Sequence, residues 1–171
     1  MGLPFTFDEY NDMASEMKFK VFPFADLTPG AAKLIKHLVK HNIPIAIATS
    51  STRHMFEIKT ARNQHIFELF GENVTCGDDP NLKQSKPDPS IFLLARSRLP
   101  NPPPHEECLV FEDSNNGVCA AKRAGMNAVW VPDSRFTVQQ EIDENEFNAV
   151  QVLSSLEEFD PALYGLPSYD D

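Results

Sequence analysis

The chain has 171 residues, is 42% apolar and carries a formal net charge of −10, enough apolar material for one compact domain with a real core. That acidity excludes a nucleic-acid or anionic-membrane surface as its main partner. A phosphate group can still be held, but only where a metal ion, a lysine and helix N-termini reverse the local field.

At the N-terminus, Met1-Gly2-Leu3-Pro4-Phe5 has neither the basic region nor the apolar stretch of a secretory signal. Thr6 is the only hydroxyl near the Met-Gly start and no polybasic patch follows, so myristoylation is not expected. Residues 7–21 place Phe7, Tyr10, Met13 or Ala14, Met17 and Val21 three or four positions apart, which predicts an amphipathic helix. Pro23 and Pro29 break the chain. Thr28-Pro29-Gly30 then opens a second helix through Ala31, Leu34, Ile35, Leu38 and Val39, ending at His41 and Asn42. Residues 43–48 form a continuous apolar run that closes on small hydroxyl residues, the pattern of a buried parallel strand.

A helix is expected over 53–64 and a short strand over 74–76. Residues 89–98 read as a helix with proline in its first turn. After a rigid loop at 100–104, residues 108–111 predict a strand and 116–124 a helix closed by Gly125. Residues 128–131 predict a strand ended by Pro132. The stretch 133–148 is acidic and poorly patterned, 150–153 predicts a last edge strand, and 156–159 a short helix. Strands alternating with helices of this length specify an α/β fold with a parallel sheet in three layers. The chain shows no internal repeat and no low-complexity tract. No apolar run is long enough to span a bilayer. Cys76, Cys108 and Cys119 are an odd count without CxxC spacing, each in or beside an apolar run, so buried reduced thiols are expected. These features together predict a soluble, cytoplasmic protein.

In parallel α/β sheets, ligands bind outside the C-terminal ends of the strands, where helix N-termini also point. Thr49 and Ser50 follow the strand at 43–48, and Glu112 and Asp113 follow the strand at 108–111, with Asn116 in the next turn. Lys86 stands in Ser85-Lys86-Pro87-Asp88-Pro89, just before a helix. The set offers hydroxyls and amides for phosphate oxygens, a lysine to offset their charge, and two carboxylates for a divalent cation. Magnesium prefers oxygen ligands and keeps part of its water shell, so one or two carboxylates suffice. Phosphoryl transfer asks mainly for such positioning and charge stabilisation.

Taken singly, each residue has a plainer role. Thr49 can cap the following helix, Lys86 can be a solvated loop lysine, and Glu112-Asp113 can be an acidic pair favoured by a helix dipole. Asp78-Asp79 before Pro80 reads as a turn, and His54, His65 and His105 lack metal spacing. The ordered combination is what carries information: Ala48-Thr49-Ser50-Ser51 after a strand, then Lys-Pro-x-Pro, then Phe111-Glu112-Asp113-Ser114-Asn115-Asn116-Gly117.

In that order the three segments resemble three of the four motifs of the haloacid-dehalogenase-like (HAD) superfamily. The resemblance implies a Rossmannoid core and a magnesium-dependent hydrolase, a phosphatase of small phosphorylated metabolites such as nucleoside or sugar monophosphates. It assigns phosphate binding to Thr49, charge stabilisation to Lys86, magnesium ligation to Asp113 and Glu112, and substrate contact to Ser50 and Asn116. Residues 65–70 and the ending Leu163-Tyr164-Gly165-Leu166-Pro167-Ser168-Tyr169 look like the animal pseudouridine-5′-phosphatase branch. The likeness runs from about Leu3 to the C-terminus.

The family's remaining motif, an Asp-x-Asp-Gly on the first and central strand, supplies the nucleophile that becomes an aspartyl-phosphate and the general acid/base. No Asp-x-Asp occurs in these residues. The reading that follows is a truncated product: residues 1–22 as the remnant of a helical cap and 23–171 as an incomplete core, inactive alone. A non-catalytic phosphate-binding or regulatory pseudoenzyme and a phosphomutase are the competing readings. Loss of a central strand would leave two inner strand edges unpaired, which favours self-association.

Overall fold

A computed structural model describes residues 6–139, 142, 145 and 147–170. The signal and myristoylation readings at residues 1–5, and part of the acidic stretch 133–148, lie outside the described residues. The first helix, α1 (Phe7–Val21), starts where Thr6 and Glu9 cap each other: the Thr6 hydroxyl accepts from the Glu9 amide and the Glu9 carboxylate accepts from the Thr6 amide. Its apolar stripe is largely solvent-facing, with Phe7, Tyr10, Met13, Met17 and Val21 all more than half exposed. The helix runs directly into a 3-10 turn, Phe22–Phe24.

The second helix, α2 (Ala31–Lys40), begins at Gly30, whose φ of +85° and contact with the Leu156-Glu157 backbone leave no room for a Cβ. It buries Leu34, His37 and Leu38, and beyond its cap at His41 the chain turns at Asn42, which adopts a φ of +56°. Strand β1 is Ile47–Ala48, shorter than the apolar run that predicts it. Among the described residues it has a ladder on one side, to β2 (Val74–Thr75), while the Ile43 amide turns back to the Leu38 carbonyl.

The helix expected over 53–64 is broken. Helix α3 (Arg53–Thr60) passes into a 3-10 turn, Ala61–Asn63, before α4 (Gln64–Phe67). Thr60 bonds back to the Phe56 carbonyl at 2.9 Å, which competes with regular helix. Arg62 and Asn63 then tie the turn to the carbonyls of Phe24 and Ala25. Downstream come α5 (Ser90–Ser97), β3 (Leu109–Glu112), α6 (Asn115–Arg123), β4 (Asn127–Trp130) and β5 (Gln151–Val152), each within a residue or two of its predicted place. The last predicted helix is a 3-10 turn, Leu156–Glu158, followed by another, Pro161–Tyr164.

Among the described residues every pairing is parallel, in three ladders that make two sheets: β1 with β2, and β4 between β3 and β5. Among the described residues no backbone ladder joins β1 to β3. The three-layer α/β architecture is as the sequence predicts, and alternation along β4 shows why. Val129 packs with Leu34 and Leu38 of α2, Leu153 and Phe159 on one face. Ala128 and Trp130 pack with Ile91, Phe92, Val118 and Ala121 of α5 and α6 on the other. Full burial of each valine, leucine, isoleucine or phenylalanine of this kind contributes about 1.5–3 kcal/mol.

All three cysteines are free, but only Cys76 is buried; Cys108 and Cys119 are half-buried, so the expectation of buried thiols holds for one of three. Burial pushes the thiols of Cys76 and Cys108 above the ordinary range. No described helix is long and apolar enough to cross a membrane.

Candidate active site

The end of β1 carries the first group. The Thr49 amide extends the ladder to the Thr75 carbonyl at 3.0 Å, and its hydroxyl accepts from the Ser51 amide at 3.1 Å. Thr49 is therefore not the cap of α3. Thr52 fills that place, accepting from Met55, and the Asp78 carboxylate accepts from the Arg53 amide at 2.9 Å. Gly77 allows the loops after β1 and β2 to touch. A Cβ there would lie 2.3 Å from the Ser50 carbonyl oxygen, and the Gly77 amide donates to Ser51 at 2.8 Å.

Lys86 joins the two halves of the sheet. Its ammonium donates to the Ala48 carbonyl at 3.0 Å and to the Glu112 carboxylate, with the two side chains only 10% and 8% exposed. It also lies 4.7 Å from the centre of the Phe92 ring, a cation–π contact. The loop that presents it is held by the Arg123 guanidinium on the Pro87 carbonyl and by Asp88 capping Ser90. The Ser90 hydroxyl and amide hold the Asp88 carboxyl below its ordinary range.

At the end of β3, the other oxygen of Glu112 accepts from the Ser114 hydroxyl at 3.1 Å, and Ser114 also caps α6 through the Gly117 amide. Gly117 faces the Glu112 carboxylate so closely that a Cβ would lie 2.0 Å from it. Glu112, expected beside Asp113 as a second magnesium carboxylate, thus has both oxygens engaged by protein groups. Asp113 is exposed, and its backbone carbonyl accepts from the buried Trp130 indole at 3.1 Å. It lines a cleft of about 500 Å³ with Ser114, Asn116, Asp133 and Thr137. The Arg135 guanidinium holds the Asp133 carboxyl down at about 2.

Ser50 lies instead on a second cleft of about 390 Å³, with Ser51, Thr52 and Lys59 of the core and Ser15 and Lys18 of α1. Lys59 donates to the Ser51 hydroxyl at 3.0 Å. The structure therefore puts hydroxyls and two lysines around Ser50, carboxylates around Asp113 and Asn116, and the Lys86–Glu112 pair between the ends of β1 and β3. The first surrounding suits an anion and the second a hard cation.

Other residues take structural roles. Asp79 forms a two-pronged pair with Arg98 at 2.6 and 3.0 Å, which also anchors Thr75. His105 bonds the Ala124 carbonyl at 2.8 Å, while His54 and His65 are exposed. Sequence reasoning missed Ser114, Lys59, Asp133 and Trp130. A serine three residues before Gly117 at a helix start is a readable cap signal; the reach of Trp130 to Asp113 is tertiary and has none.

The family model for haloacid dehalogenase-like hydrolases matches residues 8–125, more than half of the chain. The chain is 41% identical over 169 residues to a Drosophila melanogaster protein named a probable pseudouridine-5′-phosphatase, covering 99% of this chain and 71% of that one. It is 44% identical over 152 residues to (DL)-glycerol-3-phosphatase 2 of Arabidopsis thaliana, covering 88% of this chain and 61% of that one. Among solved structures, a HAD family hydrolase from Deinococcus radiodurans superposes with a TM-score of 0.76 at 24% identity, over 94% of this chain and 70% of that one, a likeness of fold.

Proposed function

Because the chain belongs to the haloacid dehalogenase-like hydrolase family, we propose that it carries the phosphate- and metal-holding part of a magnesium-dependent phosphatase of small phosphorylated metabolites. In this reading Thr49 and Ser50, with the amides of their loop, hold phosphate oxygens. Lys86 offsets the phosphate charge, and Glu112 fixes the ammonium in place. Asp113 supplies the carboxylate for Mg2+, and Asn116, which lines the cleft on which Asp113 lies, is assigned to substrate contact. The metal, when bound, neutralises charge on the phosphate oxygens.

The observation that carries the reading is the Lys86 bridge, a buried cation held between the carbonyl that ends β1 and the carboxylate that ends β3. Burying an ammonium costs several kcal/mol unless it is well paired, and its bond to the Ala48 carbonyl, the residue before Thr49, supports a role in offsetting phosphate charge. The exposed Asp113 carboxylate in an acid-rimmed cleft fits an oxygen-seeking cation. Names of relatives support the substrate class: one is named for pseudouridine 5′-phosphate and another for glycerol 3-phosphate.

Turnover needs a nucleophile, and no Asp-x-Asp is present among the 171 residues. We assign residues 1–22 to a cap remnant and 23–171 to the core, a division supported by the exposed apolar stripe of α1. The missing aspartates also support a second reading, a phosphate-binding module without catalysis.

The test is calorimetric titration of the 171-residue chain with inorganic phosphate and Mg2+, beside a phosphate-release assay on nucleoside and sugar monophosphates. Phosphate binding is expected to weaken at least about tenfold in Lys86→Met and Asp113→Asn, with no magnesium-dependent release. Wild-type affinity in both variants would overturn the site. Release abolished by Asp113→Asn would overturn the inactivity.

A further inference from the structure

The last turn of α2 holds a cluster that the phosphate site does not use. His37 and His41 are four residues apart, so their rings share one helix face, with centroids 4.6 Å apart. The segment near the C-terminus folds over them. A ring nitrogen of each histidine and a carboxylate oxygen of Asp170 lie within 4.8 Å of one another. Because α2 runs back toward the start of β1, this cluster sits at the end of the sheet away from Thr49.

We propose that His37, His41 and Asp170 form a binding site for one divalent transition-metal ion of the zinc class, which fastens residues 167–170 to the C-terminal turn of α2.

Four observations support it. The Nε2 atom of His41 is buried and has no hydrogen-bond partner, an orphaned lone pair or proton on a residue of this cluster. His37 Nε2 lies 2.8 Å from the Pro167 carbonyl, the kind of backbone bond that fixes the orientation of a metal-binding imidazole. Two imidazoles with one carboxylate are a donor set for zinc, not for magnesium or calcium, which take oxygen. The site also lies at a helix C-terminus, where the dipole favours a cation.

Neighbouring charge is mixed. Lys40 donates to Asp170 at 2.5 Å, and Lys33 lies 4.0 Å above the ring of Tyr169. Asp160 is negative close to Tyr169. A carboxylate accepts on two oxygens, so Asp170 can serve Lys40 with one and the metal with the other. The Lys40 bond, and to a lesser degree Lys40, His41 and His37 as nearby charges, hold its carboxyl below the ordinary range.

The experiment is titration of the EDTA-stripped chain with Zn2+ by calorimetry, and with Co2+ by absorption to identify nitrogen and oxygen ligation. One equivalent of Zn2+ is expected per chain. Asp170→Asn and His41→Gln should each weaken it at least about tenfold, while Asp113→Asn and Cys108→Ser keep wild-type affinity. Zinc should raise the melting temperature of the wild type and not that of Asp170→Asn. Asp170 is exposed, so its variant is decisive if His41→Gln does not fold. Absence of zinc binding by the wild type, wild-type affinity in Asp170→Asn, or binding lost in Asp113→Asn or Cys108→Ser would each overturn the site.

Discussion

The Lys86–Glu112 ion pair bridges two strands that share no ladder among the described residues. The ammonium takes the carbonyl at the end of β1, and the carboxylate it meets stands at the end of β3. Backbone hydrogen bonds hold neighbouring strands of a sheet together. Here, across the interval between β1 and β3, the Lys86 side chain makes a polar link. The pair therefore belongs both to the candidate site and to the connection between the two halves of the domain.

Replacing Lys86 by methionine leaves a buried carboxylate whose remaining partner is the Ser114 hydroxyl. Removal of one member of such a pair costs roughly 3–5 kcal/mol. Urea denaturation of Lys86→Met should show a loss of that order, and Lys86→Met with Glu112→Gln should recover part of it. A single variant within about 0.5 kcal/mol of wild type would mean the pair is solvated and the two halves are held by other contacts.

Two glycines separate backbone crowding from side-chain crowding. Alanine at Gly77 would collide with the Ser50 backbone, which has little freedom to withdraw; alanine at Gly117 would strike the Glu112 carboxylate. Helix propensity alone favours alanine at Gly117 by about 1 kcal/mol. The collision is expected to reverse that sign, because Glu112 cannot retreat without releasing Lys86. Both variants should lose roughly 1–3 kcal/mol in thermal or urea unfolding. Stabilisation by Gly117→Ala would show that Glu112 is free to move.

How much of this was legible in the sequence depends on what each feature rests on. Strands β3 and β4 were readable because apolar runs bounded by turn residues need no knowledge of their neighbours. The apolar stripe of α1 was readable as a pattern, but periodicity says which side of a helix is apolar and not whether anything covers it. Thr49 was readable as a strand-end hydroxyl, yet the capping of α3 by Thr52 and Asp78 depends on how the loop after β2 folds back. Glu112 and Asp113 are adjacent in sequence and look alike there. Their side chains go separate ways, Glu112 inward to Lys86 and Asp113 outward to the cleft, which only packing against Gly117 and Trp130 decides.

The pair formed by Asp133 and Arg135 sets a pH dependence at the rim of the cleft. Hydrogen bonds from Arg135 lower the Asp133 carboxyl to about 2, below its ordinary value near 3.8. A carboxyl depressed in the folded state stabilises the fold above its unfolded value and loses that contribution as the pH falls toward 2. Carboxyl-carbon NMR should place the Asp133 midpoint near 2, and Arg135→Gln should raise it part of the way toward 3.8, because the residue-135 amide still donates to the carboxylate. An unchanged midpoint in the variant would show that the cause lies elsewhere. The pair is on the surface, so added salt should also raise the wild-type midpoint.

Trp130 is the chain's single tryptophan, fully buried, with its indole donating to the carbonyl of Asp113. That bond is a direct connection from the core to the residue assigned to the metal. If a cation binds at Asp113 as proposed, the emission of Trp130 is expected to change through this bond, whereas zinc at His41 and Asp170 should leave it unaltered. Trp130→Phe removes the donor and leaves a void in the core, a loss of about 2–4 kcal/mol by combining a lost hydrogen bond with partial cavity formation. Magnesium titration followed by fluorescence checks the connection: a saturable change present in the wild type and absent in Asp113→Asn is expected. A change that persists in Asp113→Asn would locate the cation elsewhere on the rim, with Asp133 the next carboxylate to remove.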